Sequence, residues 1–378
     1  MRDLEVVPAG DPAPVIAALR AAVDGSGPAV LPLAPDAARP AGLPDRVPVR
    51  VALVIATSGS SGAPKLVALS ASALLASAAA TEGVLGGPGG WVLALPTHYI
   101  AGVQVVVRAL AAGTEPVVVP PGPFTASAFA AAVASLPADR RRYSALVPTQ
   151  LHRVVEAVEN REAEVAAACR ALDAVLIGGG RLSAPLAERA RAAGMRVVRT
   201  YGASETAGGC VYDGVPLAGV RVAVVDGEVL LAGPMLAEGY LGDDARTARA
   251  FLDEPGVRWY RTGDAGEWDG ERLTITGRLD DVVITGGEKV SLGLVERVVQ
   301  ALPGLADAVV VRAPDPEWGE VPVVATATRG VDLAVVRDRV ADELGRRAAP
   351  RRLLVLDPLP LLPNGKPDRV AIAVVART

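Results

Sequence analysis

The stretch Val51-Ala52-Leu53-Val54-Ile55-Ala56-Thr57-Ser58-Gly59-Ser60-Ser61-Gly62-Ala63-Pro64-Lys65 joins an apolar, β-branched run to a loop of hydroxyls, glycines and one cation. The run predicts an apolar strand. The loop suits an anion: glycines let the backbone approach, hydroxyls and backbone N–H groups donate to phosphate oxygens, and Lys65 adds a charge. A Walker A loop ends in Gly-Lys-Ser/Thr, whereas this one ends in Pro64-Lys65-Leu66, which disfavours an ordinary P-loop kinase. Taken alone, such a loop is more often a flexible Ser/Gly surface turn.

Outward from this stretch, β-branched runs alternate with Ala-rich helical ones, the order of an α/β chain whose sheets are covered by helices. Strands are predicted at Val51–Ala56, Trp91–Leu95, Pro116–Val119, Ser144–Val147, Ala174–Ile177 and Arg196–Arg199, with helices at Ala71–Leu85, Ala101–Ala112, Thr125–Ser135, Pro148–Val158 and Ala184–Ala193. After Gly219 short strands and turns predict a small β-rich subdomain. Residues 1–277 are read as one large domain, 278–281 as a hinge, and 282–378 as a small mobile α+β C-terminal domain, with a helix at Leu292–Ala301 and another at Leu333–Leu344. The Pro- and Ala-rich first 48 residues carry little signal.

Composition narrows the function. Of the 378 residues 51% are apolar, yet charges interrupt the long apolar stretches and none reads as a membrane span. The start Met1-Arg2-Asp3-Leu4-Glu5 does not read as a signal peptide, so the cytoplasm is the expected compartment. A net charge of −4 offers no basic footprint for nucleic acid. Cys169 and Cys210 fit neither a disulfide framework nor a zinc spacing and read as reduced. Any metal should arrive with a nucleotide.

Further motifs follow in order. Gly178-Gly179-Gly180-Arg181-Leu182-Ser183 sits between a strand and a helix, but lacks the third glycine and the later acid of a dinucleotide fingerprint. Tyr201-Gly202-Ala203-Ser204-Glu205-Thr206 follows a strand and offers a ring for a base, a hydroxyl for phosphate and a carboxylate for Mg²⁺. Asp264, in Tyr260-Arg261-Thr262-Gly263-Asp264, can accept two ribose hydroxyls or cap a turn. Gly277-Arg278-Leu279-Asp280-Asp281 precedes Thr285-Gly286-Gly287-Glu288-Lys289, and Leu362-Pro363-Asn364-Gly365-Lys366 presents a lysine after a turn.

In this order and spacing, from about Val51 to Arg369, the motifs resemble the adenylate-forming superfamily of acyl-CoA synthetases and peptide-synthetase adenylation domains. The resemblance implies that Thr57, Ser58, Gly59, Ser60, Ser61, Gly62 and Lys65 gather the β- and γ-phosphates of ATP. It makes Gly178, Gly179, Gly180, Tyr201 and Gly202 adenine-binding, Ser204 an α-phosphate contact and Glu205 the Mg²⁺ ligand. Asp264 and Arg278 would hold the ribose, with Arg278 also reaching phosphate. Asp280 would be the hinge residue, and Gly286 and Gly287 would line a channel for the pantetheine arm of CoA. Lys366 would bridge the carboxylate and the α-phosphate, where a cation offsets the repulsion of two anions. His98 matches a residue near the acyl pocket, and a purely structural histidine is the alternative.

The length, Leu95-Pro96-Thr97-His98-Tyr99-Ile100-Ala101-Gly102, Val147-Pro148-Thr149-Gln150-Leu151 and the Gly286-Gly287 segment are similar to short bacterial o-succinylbenzoate:CoA ligases of menaquinone biosynthesis. Relative to the superfamily the N-terminal subdomain reads as trimmed. The expected reaction is ATP-dependent conversion of o-succinylbenzoate to its CoA thioester. A second carboxylate in the acid requires a cation in its pocket, for which Arg153 and Arg181 are the candidates. Another aryl or aliphatic acyl-CoA ligase, a stand-alone enzyme loading a carrier protein, and a non-catalytic nucleotide-binding regulator are the rival readings. The partners expected are the acid, ATP and CoA, with a homodimer as the assembly that relatives suggest.

Overall fold

The computed structural model describes residues 1–57, 64–361 and 367–377. The apolar run forms the strand Val51–Thr57, its first five residues buried. It runs parallel to Ala29–Leu33 on one side and antiparallel to Lys65–Ser70 on the other, with Thr57 paired to Lys65. These three belong to a six-stranded sheet.

Two of its strands lie in the segment where the sequence promised little. Arg2–Pro8 pairs in parallel with Ala29–Leu33, and the helix Pro12–Asp24 connects them. Proline at the start of that helix hid it from a composition reading. At the first turn the missing N–H has no intrahelical partner to lose, and the Asp11 carboxylate caps Ala13 N at 3.0 Å. Val15, Leu19 and Ala22, on one helical face, are fully buried.

A seven-stranded sheet follows, in the spatial order Val215–Pro216, Gly208–Tyr212, Val197–Ala203, Ala174–Ile177, Arg141–Leu146, Gly89–Leu93 and Val117–Val118. From Val197–Ala203 onward the pairs are parallel. The helices Ala71–Leu85 and Ile100–Ala111 pack on each other and share one apolar core with both sheets. The helices Ala126–Ala134, Pro148–Glu159, Ala163–Ala171 and Ala184–Ala192 cover the second sheet with a separate core. The chain is α/β with helix-covered sheets, as expected.

Beyond Gly219, Arg221–Val225, Glu228–Ala232, Val257–Trp268, Phe251–Glu254 and Leu273–Arg278 form a five-stranded antiparallel sheet. Arg278 closes its last strand, with Asp264 as its Cα partner across the ladder. Residues 279–281 lead to Val282–Thr285, which opens a last five-stranded sheet covered by the helices Leu292–Gln300, Leu333–Leu344 and Arg369–Ala376. The hairpin from Thr285 to Glu288 turns on Gly286 and Gly287, both at positive φ (56° and 85°). Glycine takes that two-residue turn without the Cβ penalty. No described helix is long and apolar enough to cross a membrane.

Candidate active site

Strand ends place the site. In open α/β sheets the parallel strands deliver their C-terminal ends to one edge, where ligands collect. Here the strand Ala174–Ile177 delivers Gly178 and Gly179, and the strand Val197–Ala203 delivers Tyr201, Gly202 and then Ser204 and Glu205 to one cavity of about 500 Å³. Thr57 and Lys65 reach it from the first sheet, Asp264 and Arg278 from the third. Segments more than 200 residues apart in the chain therefore share one space, which the motif order alone did not show.

The glycines are used where backbone must come close. A Cβ on Gly202 would lie 2.1 Å from the Gly208 carbonyl oxygen, and one on Gly178 would lie 2.5 Å from Thr200 Oγ1. Gly179 adopts φ +73°. Gly180 faces Pro148 instead, and is not among the residues lining the cavity.

Carboxylates in the cavity are held by phenols. Tyr201 Oη donates to Asp264 Oδ2 at 2.6 Å, while Arg278 Nη1 reaches Asp264 Oδ1 at 3.2 Å. Burial raises the Asp264 pKa, and the Tyr201 hydrogen bond and the Arg278 charge oppose that rise. Tyr240 Oη donates to Glu205 Oε1 at 2.7 Å, and Glu205 is 6% exposed. Lys65 Nζ lies 5.6 Å from the centroid of the same Tyr240 ring. Among the described residues no group of three or more His, Cys, Asp or Glu side chains could hold a metal by itself. A single buried carboxylate would fit a Mg²⁺ that takes its other ligands from nucleotide phosphates and water.

The cavity lining also holds residues that the sequence reading missed. Arg108, on the helix Ile100–Ala111, is 7% exposed, and its Nη2 donates to Tyr212 Oη at 3.3 Å. Its guanidinium lies 5.3 Å from the Trp91 ring centroid, and its Nε is buried without a partner. No described carboxylate pairs with it. One turn earlier Gln104, 1% exposed, has an unpartnered Oε1. The signal was present: a Gln and an Arg four residues apart in the apolar run Val103–Ala109 share a helix face, where polar side chains are expensive unless used.

Three expected contributors fall elsewhere. Arg153 is turned outward on the helix Pro148–Glu159, donating to the Phe124 carbonyl at 3.2 Å, because that helix buries Leu151, Val154 and Val155 instead. Arg181 opens onto a different cleft. His98 is not among the cavity's lining residues; its neighbour Tyr99 is, with the two rings 4.2 Å apart. Burial lowers the His98 pKa, and its Nδ1 has no partner.

The Gly286–Gly287 turn and Asp280 are not among the residues lining the cavity. Gly286 packs under Trp318, which stacks on Arg347 at 4.0 Å. Asp280 accepts from Arg278 Nε at 3.0 Å, an ion pair that lowers its pKa, and its carbonyl accepts from Arg312 at 2.8 Å. Ser58, Gly59, Ser60, Ser61, Gly62 and Lys366 lie outside the described residues.

Glycine-lined strand ends, two carboxylates each held by a tyrosine and a buried guanidinium in one cavity suit a nucleotide-dependent enzyme that acts on an organic anion. The AMP-binding enzyme model matches residues 9–241, and the AMP-binding enzyme C-terminal domain model matches 294–366. The chain belongs to the AMP-binding, adenylate-forming enzyme family. It is 40% identical to the probable 2-succinylbenzoate–CoA ligase of Mycobacterium tuberculosis over 98% of this chain and 97% of that protein. It is 34% identical to the 2-succinylbenzoate–CoA ligase of Escherichia coli K12, over 82% of this chain and 66% of that protein. Among solved structures, a substituted E. coli MenE with bound OSB-AMS superposes with a TM-score of 0.78 at 28% identity, covering 100% of this chain and 88% of that one. The Bacillus subtilis o-succinylbenzoate CoA synthetase with its acyl-adenylate intermediate OSB-AMP gives 0.72 at 26% identity, covering 91% and 74%.

Proposed function

We propose that this protein is an AMP-forming acyl-CoA ligase that activates 2-succinylbenzoate with ATP and passes the acyl group to CoA, a step of menaquinone biosynthesis. The observation that carries the choice of acid is Arg108, a buried guanidinium that lines the cavity with an unpartnered Nε and no carboxylate partner among the described residues. An acid that keeps a second carboxylate after activation supplies the missing counter-charge. The relatives bearing that activity in their names support the same reading.

In the first half-reaction the carboxylate oxygen attacks the α-phosphorus of ATP and pyrophosphate leaves. In the second the CoA thiolate attacks the acyl carbon and AMP leaves. Asp264 accepts the ribose hydroxyls, Tyr201 covers the base and, with Arg278, keeps Asp264 oriented. Ser204 and Lys65 donate to phosphate oxygens, joined by the hydroxyls and backbone of residues 58–62. Glu205 would hold Mg²⁺, which neutralises phosphate charge when bound. Lys366 is assigned to the carboxylate and α-phosphate during adenylation, and the Gly286–Gly287 turn to the pantetheine arm once residues 282–378 swing about the 278–281 hinge. The setting we propose is cytoplasmic, with a homodimer as the assembly.

The test is a substrate panel. Purified protein with Mg²⁺-ATP, CoA and 2-succinylbenzoate should release pyrophosphate and form the acyl-CoA, read by mass spectrometry, well above benzoate, fatty acids or amino acids. A preference for a monocarboxylic acid would overturn the assigned acid. Pyrophosphate release without transfer to CoA would overturn the assigned acceptor.

A further inference from the structure

The loop after the strand Ala174–Ile177 has two faces. Gly178 and Gly179 line the cavity described above, whereas Arg181, Leu182 and Ser183 open onto a second cleft of about 760 Å³. The opposite wall of that cleft comes from the helix Leu292–Gln300, through Arg297 and Gln300. It therefore lies where residues following the 279–281 link meet the main α/β body.

Its charges are unbalanced. Arg181, Arg191, Arg199 and Arg297 face it against Glu188 and Asp213. Arg199 is already paired with Asp213 at 2.9 Å, and nearby Glu296 is engaged by Arg369 at 2.7 Å. Arg181, Arg191 and Arg297 have no carboxylate partner among the described residues. Arg297 Nη2 donates to the Ile275 carbonyl at 2.8 Å, and its Nε is buried with no partner at all. Arg181 is exposed at its outer edge, yet the cleft walls and then the Arg297 charge lower its pKa. Two guanidiniums facing each other across a gap repel unless an anion stands between them. Leu182, Pro185, Met195 and Val197 add an apolar wall. The space exceeds what an inorganic phosphate needs, and apolar walls beside convergent cations suit an organic phosphate.

We propose that this cleft binds the phosphorylated nucleoside portion of a ligand, with Arg181, Arg191 and Arg297 on phosphate and the Leu182–Val197 wall on the base. Because Arg181 and Arg297 come from the two sides of the cleft, a bound phosphate replaces their repulsion with a shared counter-ion. Two sources carry that chemistry: the nucleotide end of CoA, and a free nucleotide acting from outside the reaction. Only the first rests on the ligase reading.

The experiment is isothermal titration of 3′-phosphoadenosine 5′-phosphate into the full chain, compared across Arg191→Glu, Arg297→Gln and Asp264→Asn. The cleft predicts at least tenfold weaker binding in the two arginine variants and little change in Asp264→Asn. Arg191 is exposed, so its substitution is read without a folding defect. Unchanged affinity in both arginine variants, or a loss confined to Asp264→Asn, would place the probe in the first cavity and overturn the proposal. The source is then read from thioester formation with CoA and dephospho-CoA. A tenfold rise in the KM for CoA in Arg191→Glu, absent with dephospho-CoA, assigns the cleft to CoA. Loss of probe binding with KM unchanged assigns it to a free nucleotide. A chain that makes no acyl-CoA fails the ligase reading while the titration still reports on the cleft.

Discussion

Arg108 and Tyr212 meet in the lining of the cavity, Nη2 to Oη at 3.3 Å, and Thr81 Oγ1 contacts the same phenol at 2.9 Å. The guanidinium is thus fixed by a neutral group and a ring face, with no carboxylate partner among the described residues.

This relationship makes Arg108→Met act with opposite signs on binding and stability. Losing a charged hydrogen-bond pair with the acid should cost about 2–3 kcal/mol, roughly a 100-fold rise in the KM for 2-succinylbenzoate. The KM for ATP should stay within a few-fold. Removing an unpaired buried charge should hold or raise the melting temperature. A fall in melting temperature together with an unchanged KM for the acid would make Arg108 a structural residue.

Glu205 offers its carboxylate with one oxygen already taken by Tyr240. Glu205→Gln keeps the shape and removes the charge, so the Mg²⁺ concentration for half-maximal ATP–pyrophosphate exchange should rise and kcat should fall by roughly 100-fold, the scale of a lost charge-stabilising group. Tyr240→Phe should give a smaller shift in the same direction. A Mg²⁺ titration curve identical to wild type in Glu205→Gln would exclude the carboxylate as the ligand.

Asp264 must be ionised to accept ribose hydroxyls, and burial already raises its pKa against the Tyr201 and Arg278 contacts. Nucleotide affinity should therefore weaken on acidification. Tyr201→Phe removes a hydrogen bond that favours the charged form, so the acid limb should move to higher pH. The KM for ATP measured across pH 5–8 in both proteins checks this, and superimposable profiles would contradict it.

His98 carries the opposite sign. Burial lowers its pKa below the ordinary value of 6.5, so the unfolded chain binds this proton more readily than the folded one. Its contribution is intact above that value and is lost as pH falls through the unfolded pKa towards the folded one. His98→Phe should flatten the decline in melting temperature on the acid side. Because His98 does not line the cavity, the KM for the acid should change little. A large KM effect would return the residue to the acyl pocket.

Local chemistry makes much of this protein legible in its sequence. A strand followed by Ser/Gly and a lysine, glycines after the strand Ala174–Ile177, and Tyr201 to Glu205 after another strand are short-range patterns. Period, turn chemistry and strand-end position govern them, and the helices Ala71–Leu85 and Leu333–Leu344 match their expected bounds. The strands Arg2–Pro8 and Ala29–Leu33 were hidden because their pairing is long-range, and proline at a helix start resembles loop composition.

Tertiary structure alone decided which polar residues face one another. Tyr201 meets Asp264 across 63 positions and Arg108 meets Tyr212 across 104. Arg153 and Arg108 are both arginines on helices, and composition cannot distinguish them. Packing can: one helix turns its arginine outward to bury leucine and valine, and the other is buried on all sides, so its arginine must find partners inside.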